Sequence, residues 1–111
     1  MREITYAQAL NEALHEEMAA DPTVITYGED IVPKGIFGVT GGLYEAFGPQ
    51  RVRNTPISEL ALVGMAVGAA VTGLRPVPEI MYCDFLGPAM DQVVNQMAKI
   101  RYMFGSQACC P

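Results

Sequence analysis

The sequence predicts an α/β fold in which helices cover both faces of a parallel sheet. Two short apolar runs, 24–27 and 77–82, have the length and composition of buried strands. Segments with apolar residues at helical spacing precede, separate and follow these runs. Strands that alternate with helices are joined by crossover connections, which make the strands parallel and place helices against the sheet.

The first helix is predicted over residues 6–20. Thr5 and Gln8 have the spacing of a capping box, in which each side chain accepts a hydrogen bond from the other residue's backbone N–H. Apolar residues then recur at helical spacing, and the Asp21-Pro22 pair is a turn signal that ends the helix. The strand at 24–27 follows and is bounded by Gly28.

The middle of the chain is predicted to be mostly loop. Residues 28–42 are rich in glycine, and a loop of this length in a compact domain is often functional. A short helix is predicted over 42–47. A short extended segment is predicted over 51–55, because Pro56 disfavours helical angles at the residue before it.

The rest is predicted as helix, strand and helix. Ser58 is a good N-cap for a helix from Glu59 to about residue 72, and Gly73 suits its C-terminal end. After the strand at 77–82, a last helix is predicted over about 87–104. Its predicted apolar face consists of Met90, Val93, Val94, Met97, Ile100 and Met103.

Length and composition exclude several classes of function. The 111 residues suit one domain, and because half are apolar and 17% charged, the chain can bury a core. The net charge of −5 argues against nucleic acids and anionic membranes, since both are bound through basic faces. The longest uncharged apolar stretch, 60–74, is shorter than the roughly 20 residues that cross a bilayer. We expect neither a nucleic acid nor a membrane as partner.

The cysteines and the histidine indicate no site. Cys83, Cys109 and Cys110 suit neither a disulfide framework nor a zinc-ligand spacing. We expect reduced thiols in a cytoplasmic protein, and the charged first residues do not resemble a signal peptide. His15 lies among glutamates on the first helix and is predicted to be a solvated surface residue.

Glu59 is the main candidate for chemistry. It lies in the first turn of its helix, where a carboxylate meets the positive end of the macrodipole, although that pattern alone is ordinary for a helix start. Gly64 and Gly68 lie on one face of the same helix, and small residues at this spacing permit close packing. We predict a close helix–helix contact, with a subunit interface as its location; the alternative is packing against a neighbouring strand of the domain.

The chain resembles a known family over essentially its whole length. Glu59, Gly64, Met65 and Gly68 reproduce the glutamate-to-glycine motif of thiamine-diphosphate enzymes. Further matches are Gly28-Glu29-Asp30, Gly42-Leu43, Phe47-Gly48, Arg51-Val52, the run 55–59, Gly73-Leu74-Arg75-Pro76, Asp91-Gln92 and the run 99–105. These resemble the N-terminal, transketolase-like pyrimidine-binding domain of beta subunits of the 2-oxoacid dehydrogenase family, which includes pyruvate, branched-chain 2-oxoacid and acetoin dehydrogenases. The resemblance implies that residues 1–111 are this domain, and we expect the chain to be truncated from a longer subunit.

The resemblance implies roles for three residues. Glu59 matches the glutamate that hydrogen-bonds the pyrimidine ring of thiamine diphosphate, which favours the imino tautomer and leads to ylide formation. Ile57 matches a residue that lines the pyrimidine pocket. Phe85 matches an aromatic residue that packs on the pyrimidine ring by offset stacking. The implied activity is oxidative decarboxylation of a 2-oxoacid with acyl transfer to lipoamide.

Part of the implied site is missing from the sequence. The family holds the diphosphate through Mg²⁺ bound at a Gly-Asp-Gly motif, and this chain contains no Gly-Asp pair. The resemblance therefore places Mg²⁺ and the diphosphate on an alpha subunit, within an α2β2 assembly that contains a second beta subunit and binds a lipoyl acyltransferase core. We predict no metal ligand in this chain and no activity from the chain alone.

The substrate and the activity stay open at this point. Asn54, Pro88 and the segment 71–73 resemble branched-chain relatives, whereas Ile80-Met81, Ala89-Met90 and the segment 102–104 are more similar to acetoin-type chains. The alternative to an enzyme component is a non-catalytic truncated fragment that acts only in assembly.

Overall fold

Helices and strands alternate along most of the chain. A computed structural model describes residues 2–110. Its elements are α1 (Tyr6–Ala20), β1 (Val24–Gly28), α2 (Leu43–Phe47), β2 (Val52–Asn54), α3 (Glu59–Val71), β3 (Arg75–Glu79), a 3₁₀ turn (Cys83–Phe85), α4 (Leu86–Asp91), a π-helical segment (Gln92–Met97) and α5 (Ile100–Met103). None of the helices in the described range is long and apolar enough to cross a membrane.

The sheet is parallel, with β1 at its centre. Over residues 2–110 the strand order is β2-β1-β3. Thr26 lies level with Val52 on one side and with Val77 on the other. A central strand with a crossover connection to each neighbour is what alternating strands and helices predict. The predicted α/β class with a parallel sheet is confirmed.

Each face of the sheet has its own apolar core. On one face, buried residues from α1, β1, α2, β2 and the loop after β1 pack together; they are Met18, Val24, Ile31, Leu43 and Val52. On the other face, Tyr27 packs with Leu62 and Ala66 of α3, and Ile25 lies against them. Side chains alternate between the two faces of a strand, so consecutive residues of β1 contribute to different cores.

The caps of α1 and α3 form as predicted. The Gln8 N–H donates to Thr5 Oγ1 at 3.2 Å, and the Thr5 N–H donates to Gln8 Oε1 at 2.9 Å. Ser58 Oγ accepts from the Ala61 N–H at 3.4 Å. These side chains satisfy backbone donors that have no partner within a helix, which fixes where each helix begins.

Arg51 joins α1, β1 and β2. Its guanidinium donates to the carbonyl oxygens of Met18 at 2.7 Å, Asp21 at 2.8 Å and Val24 at 2.8 Å. The guanidinium carbon also lies 5.0 Å from the centre of the Phe47 ring, a cation–π distance. Arg51 thereby satisfies carbonyls at the end of α1 and at the start of β1.

The third strand lies earlier than predicted, at 75–79 and not at 77–82. The Arg75 N–H donates to Thr23 O of the neighbouring chain segment at 2.9 Å, so the backbone of residues 75, 77 and 79 faces β1. Pro76 and Pro78 therefore present their nitrogens to the outer edge, where no ladder hydrogen bond is lost. This geometry explains why a strand can contain two prolines.

The predicted helix over 87–104 is interrupted. It consists of α4, the π-helical segment and α5, and the Ala98 N–H donates to Val93 O at 3.0 Å, a bond across five residues. A π turn rotates the following residues away from a 3.6-residue stripe, so the predicted apolar face is not continuous. Ala89 is the buried residue of α4, whereas Met90, Val94, Met97 and Met103 are exposed.

The two glycines of α3 have different surroundings. A Cβ at Gly64 would lie 3.2 Å from Gln92 Oε1. The absence of a side chain at Gly64 therefore allows the π-helical segment of the same chain to pack closely against α3. A Cβ at Gly68 would have no atom of residues 2–110 within 4 Å. A close contact between two helical segments therefore occurs at Gly64, inside the chain, and a contact across a subunit interface stays a prediction.

The glycine-rich loop between β1 and α2 is held at several points. Asn11 Nδ2 donates to Val39 O at 2.7 Å and to Gly41 O at 2.9 Å. Within the loop, Thr40 Oγ1 donates to Ile31 O at 2.8 Å, and both residues are buried. These bonds define a loop with a fixed path.

His15 is not the solvated surface residue that the sequence predicts. It is half-buried, its Nδ1 lies 3.0 Å from Asn11 O, and its ring centre lies 6.0 Å from that of Phe47. A Cβ at Gly42 would lie 3.4 Å from His15 Nε2. His15 thus packs between α1 and α2, a contact that the neighbouring glutamates do not reveal.

We expect Gly35→Ala to destabilise the chain more than Gly38→Ala. Both glycines have left-handed angles, with φ of 68° and 76°, which cost other residues about 1–2 kcal/mol. A Cβ at Gly35 would also lie 2.7 Å from Thr40 Oγ1, whereas one at Gly38 would meet nothing within 4 Å of the described structure. Urea unfolding of both variants measures the difference. Equal losses of unfolding free energy would show that the loop shifts freely around Thr40.

We expect unfolding stability to fall between about pH 10 and 12 in a way that depends on Tyr27. Burial raises the pKa of Tyr27 to about 12, and its hydroxyl donates to Leu62 O at 3.2 Å. Because this pKa is raised above the ordinary value, the contribution is complete below pH 10 and is lost as the pH rises through about 12. Urea unfolding at several pH values tests this.

The control for this measurement is Tyr102→Phe, since Tyr102 is 89% exposed. Tyr27→Phe should reduce the alkaline loss of unfolding free energy by on the order of 2 kcal/mol, and Tyr102→Phe should not. The same pH slope in Tyr27→Phe as in the unchanged chain would contradict the assignment.

Candidate functional site

Polar residues lie at the carboxyl ends of all three strands. Glu29 follows β1, Thr55 follows β2, and Glu79 is the last residue of β3. In open α/β sheets, ligands bind outside the carboxyl ends of the strands, at the point where the connections diverge to opposite sides. In the order β2-β1-β3 that point lies between β1 and β3.

Buried Glu29 and half-buried Thr55 each have a buried side-chain oxygen without a partner in the described residues. Glu29 is 7% exposed, and neither its Oε1 nor Thr55 Oγ1 has a hydrogen-bond partner among residues 2–110. The Thr55 N–H donates to Gly28 O at 2.9 Å, and Gly28 is level with Asn54, so Glu29 and Thr55 are neighbours at the ends of adjacent strands. A buried oxygen without a partner costs about 1–3 kcal/mol, so this pair calls for a ligand or another functional explanation.

Glu79 adds a second carboxyl group to this edge, and this one is half-buried. A Cβ at Gly28 would lie 3.0 Å from Glu79 Cβ, and a Cβ at Gly35 would lie 3.8 Å from Glu79 Oε1. Glu79 is therefore enclosed by β1 and the glycine-rich loop. Burial raises the pKa of its carboxyl group above the ordinary value.

Glu59 is placed at the same edge by the start of α3. The loop from β2 to α3 is short, and Ser58 caps the helix, so Glu59 is its first residue. Its side chain is partly exposed. The first turn of a helix favours a negative charge, and the partial exposure leaves the carboxylate within reach of a ligand.

Phe85 lies at the same end of the molecule as Glu59. Both α3 and the segment from α4 to α5 follow strands, and they contact each other where Gln92 meets Gly64. Gly64 is five residues from the start of α3 and Gln92 six from the start of α4. At 1.5 Å per residue, both helix starts lie about 8–9 Å from this contact, on the side of the carboxyl edge.

Phe85 belongs to a row of three aromatic side chains. The ring centres of Tyr82 and Phe85 are 5.4 Å apart and their planes meet at 74°. The Tyr82 ring also lies 5.6 Å from that of Phe37, in the glycine-rich loop, at 84°. Both pairs are edge-to-face contacts, the favoured geometry for aromatic rings.

Ile57, the third residue singled out in the sequence, lies in the loop between β2 and α3 and is 80% exposed. An isoleucine as exposed as this leaves apolar surface for a ligand or partner to cover. The structure thus places Ile57, Glu59 and Phe85 at one edge of the sheet, together with the buried side-chain oxygens of Glu29 and Thr55.

Two concave surfaces adjoin α3. A groove of about 860 Å³ lies between the sheet and α3, and Thr55, Ser58 and Tyr27 belong to its lining. A second cavity, of about 450 Å³, lies between α3, β3 and α4 and is lined in part by Tyr82, Cys83 and Cys110.

The three cysteines are free thiols, and burial raises the pKa of Cys110. Among residues 2–110, no three His, Cys, Asp or Glu side chains are grouped to hold a metal ion.

Sequence reasoning on single residues did not assign Glu29, Thr55 or Tyr82 to the site. A usable signal for Glu29 exists, because a charged residue directly after a buried parallel strand lies at the edge where ligands bind. Thr55 has no such signal, since a threonine before proline is ordinary in a loop. Only the contacts between separate segments show that its hydroxyl is buried.

Comparison with known proteins gives one consistent result. The family model described as the transketolase pyrimidine-binding domain matches residues 2–111. The chain is 47% identical to the beta subunit of acetoin:2,6-dichlorophenolindophenol oxidoreductase from Cupriavidus necator, over 99% of the chain and 36% of the relative. It is 44% identical to 2-oxoisovalerate dehydrogenase subunit beta from Bacillus subtilis, over 100% of the chain and 34% of the relative.

A third relative, pyruvate dehydrogenase E1 component subunit beta from Rickettsia bellii, is 48% identical over 98% of the chain and 34% of its own length. The chain therefore spans about a third of these relatives. All three matches cover nearly the whole chain, as the sequence resemblance implies. This chain belongs to the transketolase pyrimidine-binding domain family, and its relatives are beta subunits of 2-oxoacid and acetoin dehydrogenases.

Proposed function

We propose that this chain, as the pyrimidine-binding domain of a beta subunit, supplies the aminopyrimidine side of a thiamine-diphosphate site in a 2-oxoacid or acetoin dehydrogenase. The relatives named as beta subunits of such enzymes support this assignment. So does the position of Glu59 at the edge of the sheet where α/β proteins bind ligands.

The observation that carries the proposal is the buried pair beside Glu59. Glu29 Oε1 and Thr55 Oγ1 are enclosed, and no partner for either occurs within the described residues. An aminopyrimidine ring offers N–H donors and ring-nitrogen acceptors, and it would reach these two oxygens after a shift of the side chains that now cover them, while its flat faces contact apolar side chains. The residues present therefore fit the pyrimidine half of thiamine diphosphate.

Glu59 would form the hydrogen bond that activates the pyrimidine ring. Thiamine diphosphate, when bound, supplies the carbanion chemistry by which a 2-oxoacid is decarboxylated. Glu59 Oε would hold a proton against the pyrimidine ring nitrogen, which activates the amino group at the opposite side of the ring. The helix start keeps this carboxylate at the edge of the sheet, and partial exposure leaves it free to turn toward the ring.

Ile57 and Phe85 would bind the ring through apolar contact. Ile57 is 80% exposed and would cover one part of the pyrimidine. Phe85 keeps 38% of its surface exposed, enough for an offset-stacked ring. Burial of these side chains by the cofactor would exclude water from the space around Glu59, which strengthens its hydrogen bond.

The remainder of the site would come from other chains. This sequence has no Gly-Asp pair for Mg²⁺, so an alpha subunit would hold the metal and the diphosphate. The complete enzyme would contain two alpha and two beta subunits, transfer its acyl group to a lipoyl acyltransferase core, and act in the cytoplasm. The chain alone would then be inactive. The three relatives differ in substrate, and acetoin, 2-oxoisovalerate and pyruvate all remain within the proposal.

We expect Glu59→Gln, made in a beta subunit that contains this domain, to abolish most of the activity reconstituted with an alpha subunit from one of the relatives' enzymes. Loss of the proton-holding carboxylate should lower kcat by about 10²–10⁴-fold, the usual range for a positioned acid or base. Decarboxylation of each 2-oxoacid is measured with thiamine diphosphate and Mg²⁺.

The matched control is Glu45→Gln, because Glu45 also lies in the first turn of a helix. A similar loss of kcat in both variants would reduce Glu59 to an ordinary helix-start residue. Activity at the unchanged level in Glu59→Gln would overturn the proposed role.

We expect Thr55→Val to stabilise the chain and weaken cofactor binding. The replacement keeps the shape of the side chain and removes a buried hydroxyl that has no partner in the described structure, so unfolding free energy should rise by about 1 kcal/mol. Loss of one hydrogen bond to the pyrimidine should weaken thiamine-diphosphate binding roughly 2- to 10-fold. Calorimetric titration and urea unfolding give the two quantities.

Thr40→Val is the control, because Thr40 Oγ1 is buried and does have a partner, Ile31 O at 2.8 Å. It should destabilise the chain. If Thr55→Val also lowers stability and leaves binding unchanged, Thr55 is a structural residue and not part of the site.

A further inference from the structure

We propose that Phe37 and Tyr82 are positioning residues that fix the ring of Phe85 for stacking on the pyrimidine. This inference rests on the proposed function, because it assumes that Phe85 receives a planar ring. It assigns a role to Phe37, in the glycine-rich loop that also carries Glu29 and lies against Glu79.

Phe85 has few constraints of its own. It belongs to a 3₁₀ turn of three residues between β3 and α4, and it is 38% exposed. The Phe85 N–H donates to Tyr82 O at 3.0 Å, so the turn fixes the backbone but leaves the side chain to its neighbours. A half-exposed aromatic ring on such a turn needs lateral contacts to hold one orientation.

Tyr82 supplies the first of these contacts. Its ring meets that of Phe85 edge to face, with centres 5.4 Å apart and an angle of 74°. Tyr82 is itself half-exposed, but it also lines the cavity between α3, β3 and α4. The contact occupies only part of Phe85, and the exposed remainder can still accept a stacked ring.

Phe37 holds Tyr82 from the other side. The Phe37 ring lies 5.6 Å from that of Tyr82 at 84°, a second edge-to-face pair. The loop that carries Phe37 is tied to α1, since Asn11 donates to the carbonyls of Val39 and Gly41. Thr40, three residues after Phe37, is buried and bonded to Ile31 O. The position of Phe37 is therefore set by the fold and not by chance contact at the surface.

The three rings form a continuous series from an anchored loop to the residue proposed to stack on the cofactor. Each edge-to-face pair restricts the orientation of its two rings, although all three rings are partly open to solvent. The series predicts that removing the ring of Phe37 or of Tyr82 loosens Phe85 without any change at Glu59, Thr55 or Glu29.

The test compares Phe37→Leu, Tyr82→Leu, Tyr82→Phe and Phe85→Leu, with Tyr102→Leu as control because Tyr102 is 89% exposed. Ring-proton chemical shifts of Phe85 are measured by NMR in the free chain, which has four phenylalanines. Binding of the free aminopyrimidine half of thiamine is then titrated against the same samples.

Phe37→Leu and Tyr82→Leu should change the Phe85 shifts and weaken pyrimidine binding roughly 2- to 12-fold each, the value of one aromatic pair. Tyr82→Phe, which retains the ring, should restore both readouts, and Tyr102→Leu should alter neither. Unchanged Phe85 shifts in both leucine variants would overturn the inference, as would binding that falls in Phe85→Leu but in neither of them. Binding that does not change in Phe85→Leu would overturn the proposed stacking role and the inference with it.

Discussion

The parallel pairing of β1 with both of its neighbours is the constraint on which the candidate site depends. Because β1 lies between β2 and β3, the carboxyl ends of the three strands lie at one edge, and Glu29, Thr55 and Glu79 meet there although they are far apart in sequence. Arg51 supports this arrangement by donating to carbonyls of Met18, Asp21 and Val24. These bonds hold the end of α1 and the start of β1 against β2.

The polar groups at this carboxyl edge of the sheet lower the stability of the fold. Glu29 and Thr55 have buried oxygens without partners in the described structure, and Glu79 has a carboxyl group whose burial raises its pKa. Each of these features opposes folding, since desolvated polar groups are unfavourable unless they are paired. Concentration of such groups at one edge, beside a helix start that favours negative charge, is typical of a binding site. The apolar cores on the two faces of the sheet supply the stability that the edge lacks.

The glycine-rich loop contacts both the end of β3 and the row of aromatic side chains. Its ends are anchored by buried Ile31 and Thr40 and by the bonds from Asn11. Gly35 has a left-handed φ and lies against Thr40 and Glu79, so the loop closes over the end of β3 only because no Cβ is present there. Its other contact, through Phe37, reaches the aromatic row that ends at Phe85.

The sequence by itself determined the local features of this protein: the caps at Thr5 and Ser58, the strand at 24–27, the glycine-rich loop and the position of Glu59 at a helix start. These depend on neighbours within a few residues, and so does the family resemblance that singles out Ile57, Glu59 and Phe85. Tertiary structure decided what depends on distant segments. The structure has β3 at 75–79 and not at the predicted 77–82. Only the pairing within the sheet shows that Pro76 and Pro78 face an outer edge, where a strand tolerates proline. Tertiary structure also interrupted the last helix with a π turn, packed half-buried His15 against Phe47, and enclosed side-chain oxygens of Glu29 and Thr55. Burial and hydrogen-bond satisfaction are properties of packed neighbours, and a periodic pattern along one segment does not contain them.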